Sequence, residues 1–173
     1  MPHLKGLSGL RTELNARYLG DWPLKIGLYM INFGTIELIS YQYLNSLEAT
    51  RLEFDKTLHL LLGQRIDRIL ELTQASTAVA DIDKTEISGL WQQARKLARW
   101  RNIIAHNPVL PVWKPGSDSN KDPPDLIGVP DMRQLKVSNQ SKSISLEGMN
   151  SLINESAELG NRLLAAASRI KTA

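Results

Sequence analysis

Apolar residues recur along this chain at helical rather than alternating spacing, and the gaps between those runs mark the elements. Leu7 to Leu19 predicts a short leader helix with Ser8 as its N-cap. Gly20-Asp21-Trp22-Pro23 interrupts it, Asp21 suiting a cap and Pro23 a first helical turn. The next helix, Leu24 to Leu47, is apolar over most of its circumference, the pattern of a helix in the middle of a bundle. A third runs from Arg51 to Thr73, with Leu58, Leu62, Ile66, Ile69 and Leu72 on one stripe and Arg65, Asp67 and Arg68 off it. A fourth runs from Lys84 to His106, with Asp83 as cap, Glu86 three residues later, and Asn107 and Pro108 as its stop.

The pattern then changes. Residues 108–143 hold six of the eight prolines and no helical period. Short strands are expected at Val109–Trp113, Leu126–Val129 and Gln134–Val137, in an irregular insertion with a small hairpin. A last helix, Ser145 to Ile170, places Leu152, Leu159, Leu163 and Ala166 at core spacing. The expected fold is all-α: an up-and-down four-helix bundle with a leader helix at 1–22 and the insertion at 108–143, in one domain over 1–173.

The fourth helix carries the chemistry. On a wheel of 100° per residue, Leu90, Ala94, Leu97, Arg101 and Ile104 form one stripe, so Arg101 sits on the apolar face. A guanidinium there needs a partner. Glu37 is the matching anomaly, since it shares a face with Met30, Phe33, Tyr41 and Leu44. A second row, Arg95, Arg99, Asn102 and His106, forms a basic ridge ending in the histidine. Arg101 and His106 are five residues apart, which a straight helix splays by roughly 140°. Either the last turn distorts, or each meets groups from elsewhere, such as a second subunit. A structural ion pair at Arg101 and a helix-capping role for His106 are the plain alternatives. His3 lies near the terminus, and His59 reads as a bystander beside Leu58 and Leu60.

Composition narrows the classes little further. With 42% hydrophobic and 23% charged residues, the 173-residue chain is globular rather than disordered. It has no cysteine, which excludes disulfides, thiolate metal sites and a cysteine nucleophile. A net charge of +3 permits an anionic partner without demanding one. The apolar run from Ile26 is long enough for a bilayer, but Glu37 would fall near the midplane, so it reads as a buried helix and no membrane is expected as a partner.

Arg101-Asn102-Ile103-Ile104-Ala105-His106 resembles the signature of the HEPN superfamily, an arginine, often with a following polar residue, and a histidine a few positions on. The motif ends the penultimate long helix of a helical chain, and an irregular segment and one further helix follow, as in many HEPN domains. The resemblance implies a bundle that forms a homodimer, and a metal-independent endoribonuclease whose site is composed from both copies. In that reading His106 is the general base or acid, Arg101 grips the scissile phosphate, Asn102 orients either, and Arg95 and Arg99 bind flanking RNA phosphates. The products would be a 2′,3′-cyclic phosphate and a 5′-hydroxyl. No metal or cofactor is implied. A toxin or phage-defence role in the cytoplasm is expected, with an antitoxin or effector-complex partner. The alternative is a non-catalytic helical interaction or RNA-binding module. The tyrosine found two residues after the histidine in one toxin branch is Pro108 here, so modification at that position is not implied.

Overall fold

The computed structural model describes residues 20–106, 109–112, 124, 126–130 and 141–170. The expected leader helix with Ser8, the strand at Gln134–Val137 and the stop at Asn107 and Pro108 lie outside them. The structure is mainly helical, with a small antiparallel sheet before the last helix, as the pattern predicts. Five helices, α1 (Trp22–Leu47), α2 (Arg51–Thr57), α3 (Leu62–Ala75), α4 (Asp81–His106) and α5 (Leu146–Ala167), accompany three strands, β1 (Leu110–Val112), β2 (Leu126–Pro130) and β3 (Ser141–Ser145). The contacts divide the chain into two units, Tyr29–Arg101 with Leu152–Ala173, and Met1–Leu28 with Asn102–Ser151.

The first of these units is the helical bundle. Tyr29, Phe33, Ile36, Ile39, Tyr43 and Leu44 of α1 are buried with Ile66 and Ile69 of α3, Trp91 and Ala94 of α4, and Leu159 and Leu163 of α5. Hydrogen bonds fix the helix directions. Asn32 donates to the Ile153 carbonyl and Tyr43 to that of Leu163, so α1 and α5 run the same way. Arg95 pairs with Asp67, and Gln74 donates to Ser88, so α3 and α4 are antiparallel. The Tyr43 ring meets Trp91 edge-on at 5.1 Å, an arrangement aromatic rings favour.

Three expectations change. The helix expected from Arg51 to Thr73 is two helices. Thr57 turns its hydroxyl back onto the Phe54 carbonyl, the next turn tightens, and Leu61 adopts an extended backbone with ψ 154°. The Gln64 side chain then caps the Leu61 N–H at 2.9 Å and α3 begins. Helix α2 therefore runs back along α1, where the Tyr41 hydroxyl donates to Leu58. Secondly, α1 is not enclosed: Leu24, Ile31 and Leu38 are 65%, 68% and 60% exposed, an apolar row left on its outer side. Thirdly, α4 starts at Asp81, two residues before the expected cap, and Asp83 and Glu86 instead hold Arg169 at 3.1 and 2.7 Å.

In the other unit the three strands form a β1-β2-β3 meander, antiparallel throughout. Its third strand is Ser-Lys-Ser-Ile-Ser, a sequence with one strongly strand-forming residue. Ile144 faces Ile127 across the register, and both are buried. Ser145 caps α5 by accepting from the Gly148 N–H. A Cβ at Gly148 would lie 3.1 Å from Ile144 Cγ1, so glycine lets this first turn sit close to β3. Trp22 is buried and its indole N–H donates to the Pro124 carbonyl.

Candidate functional site

The site is built on α4, which stays a regular α-helix through Arg101 to His106. Leu90, Ala94, Leu97 and Ile104 are buried along its inner stripe. Arg101 lies on that stripe and is half-buried, its side chain 27% exposed. Its Nη2 pairs with Oε1 of Glu37 at 3.2 Å, the pairing that the two misplaced charges suggest from sequence. The cause is local: Glu37 follows the buried Ile36 on α1, at the border of the buried face, and its carboxylate is 28% exposed.

A third charge joins them that the sequence pattern places elsewhere. Arg65 of α3, expected off the apolar stripe, is 5% exposed. Its Nη1 donates to the backbone carbonyl of Glu37 at 3.3 Å, and its guanidinium carbon lies 4.0 Å from the centre of the Tyr41 ring. Among the described residues, its buried Nε finds no hydrogen-bond partner. None of the ion pairs among the described residues involves Arg65. The signal was present in the spacing: Arg65, Ile69 and Thr73 recur at i, i+4 and i+8 wherever the helix begins.

The ridge on the other side of α4 is exposed at Arg99, Asn102 and His106. Arg95 differs from these: it is ion-paired with Asp67, so its charge is already answered within the fold. Lys96, exposed three residues before Arg99, adds a cation beside the ridge that the sequence reading did not single out. His59 is exposed, as expected of a bystander. Helix α4 remains α-helical through His106, so the last turn does not distort as one alternative from the sequence required.

The neutral groups around this arrangement are strongly held. The buried Tyr29 hydroxyl donates to the Leu97 carbonyl at 2.8 Å, one turn before Arg101. Burial raises the Tyr29 phenol well above its ordinary value, with the Arg101 backbone pulling the other way.

Comparison with protein-family models, with curated proteins and with solved structures returns no match. Among the described residues, no helix is long and apolar enough to cross a membrane.

Proposed function

We propose that this chain is a HEPN-type, metal-independent endoribonuclease acting as a dimer, with Arg101, Asn102 and His106 as its catalytic set. The observation that supports it most is the state of Arg101: a guanidinium on a core-facing stripe, held by Glu37 yet still 27% exposed. That residual access leaves its donors within reach of a phosphate from solvent. RNA supplies its own nucleophile, the 2′-hydroxyl. His106, exposed at the end of α4, takes or returns a proton in the transfer, and Arg101 stabilises charge on the phosphorane. The five-residue spacing of Arg101 and His106, which a straight helix splays by roughly 140°, favours a site completed by a second copy. The exposed Ile31 and Leu38, seven residues apart on the outer side of α1, offer apolar surface for that contact. Arg99 and Lys96 bind flanking phosphates, and Arg95, engaged by Asp67, contributes less than the ridge pattern suggests.

The test is cleavage of labelled RNA by purified protein in EDTA, with detection of 2′,3′-cyclic phosphate ends. Arg101→Ala and His106→Ala should each lower the rate by at least about 100-fold. Absence of cleavage by the wild type, or an undiminished His106→Ala variant, overturns the reading. Light scattering at tens of micromolar should show a dimer, and a strict monomer would remove the composite site. The second reading, a non-catalytic RNA-binding or interaction module, is favoured by the internal pairing of Arg95 and Arg101. It predicts RNA binding without strand scission.

A further inference from the structure

We infer that Arg101 is a phosphate seat backed by the buried Arg65, and that the Glu37 carboxylate occupies the seat when no phosphate is bound. Glu37 is the hinge of the arrangement. Its backbone carbonyl accepts from Arg65 Nη1 at 3.3 Å, and its carboxylate pairs with Arg101 Nη2 at 3.2 Å. The backbone of Glu37 is thus pinned while its side chain, 28% exposed, is left to move. Across these three side chains the charge sums to +1, two guanidinium groups against one carboxylate.

Arg65 makes that excess count. It is 5% exposed, its Nε has no hydrogen-bond partner among the described residues, and its charge meets the Glu37 carbonyl and the face of Tyr41. Burying a guanidinium without an acid is costly, and the packing alone gives no reason to keep it. A buried cation is also poorly screened, so its field reaches neighbouring groups more strongly than that of a surface arginine. A phosphate dianion brings two negative charges to this neighbourhood where the Glu37 carboxylate brings one. It would take the half-exposed fork of Arg101 by displacing the Glu37 carboxylate, with Arg65 acting as a positioning residue through Glu37 and through its charge. Substrate binding then includes release of an internal competitor, which rejects weakly charged ligands.

This inference rests on Arg101 as the phosphate-binding group of the ribonuclease reading, but its test uses no RNA. Inorganic phosphate is titrated into the full chain, with chloride adjusted to hold ionic strength, and Kd is read by calorimetry alongside the rise in Tm. Glu37→Gln should bind phosphate about tenfold more tightly than wild type, and Arg65→Met about tenfold more weakly. Arg65→Lys should fall between wild type and Arg65→Met, since it restores charge without the planar contact. Should Glu37→Gln fail to fold, Glu37→Asp, whose carboxylate stops one methylene short, carries the same expectation. Glu37 variants that bind no more tightly than wild type, or Arg65→Met that binds as wild type does, overturn the seat. Phosphate binding without RNA cleavage would remove the ribonuclease reading and leave the seat standing, and cleavage with Glu37-independent phosphate binding would do the reverse.

Discussion

Two arginines one turn apart on α3 live in opposite circumstances. Arg68 holds Glu48 with two parallel hydrogen bonds, Nε at 2.8 Å and Nη2 at 2.9 Å, and adds Glu71 at 3.1 Å. The Glu48 side chain is 3% exposed, and its hydrogen bonds raise the Arg68 guanidinium above its already high value. Arg65, a turn earlier and more deeply buried, has a carbonyl and an aromatic face but no acid. The same residue type therefore serves two ends. A bidentate pair with both members satisfied is what stability selects. A buried cation left short of partners stores a potential that something else must use.

The sharpest way to break this comparison is to make the same substitution at both positions. Arg68→Met strands the buried Glu48 carboxylate. It should cost about 3 kcal/mol, reduced from the range for fully buried pairs because Arg68 itself is partly solvated. For a chain of this length that is a fall in Tm of about 9 °C. Thermal denaturation at pH 7 measures it, and a loss of under about 2 °C would mean that the pair is decorative.

How far the sequence discloses these roles follows from what each pattern encodes. The helical character of the chain and the first two strands follow from periodicity and turn residues, because local sequence dominates there. The Glu37–Arg101 pair was readable because each charge interrupts an apolar stripe on its own helix. The break between α2 and α3 was not, since it depends on one threonine hydroxyl and one glutamine cap and falls inside a continuous apolar period. Arg65 was legible too, since Leu58, Leu62, Arg65, Ile69 and Leu72 recur at helical spacing wherever the helix begins, and the expectation that it lies off that stripe misjudges the spacing. Strand β3 was missed because its Ser- and Lys-rich sequence is held by pairing to β2 rather than by its own propensity.

A middle-sized effect separates the charged pairs from the neutral anchors. Tyr29 and Tyr43 donate from buried hydroxyls to Leu97 and Leu163, and burial raises both phenols above the ordinary value of about 10. The unfolded chain releases these protons near pH 10 while the folded chain retains them. Folded protein then binds more protons than unfolded protein, so stability is full below about pH 10 and falls as pH rises further. Arg68, raised by its hydrogen bonds to Glu48, keeps its proton through that window. Tyr43→Phe should cost about 1 kcal/mol at pH 7 through the lost hydrogen bond. It should also flatten the decline in chemical-denaturation stability above about pH 10. A decline as steep as wild type would assign alkaline sensitivity to another group.

The smallest expected change is the most informative. Arg65→Met removes a buried charge with no acid left behind, and methionine fills a similar volume with a flexible side chain. The lost contacts to the Glu37 carbonyl and the Tyr41 ring are offset by the relief of desolvation. Tm should therefore match or exceed that of wild type, against the large fall expected for Arg68→Met. If instead both variants fall together, Arg65 is as structural as its neighbour, and the case that it is kept for binding phosphate loses its physical basis. If Arg65→Met is stable and binds phosphate poorly, the chain retains a residue that its fold does not need, which is what a binding residue looks like when separated from a structural one.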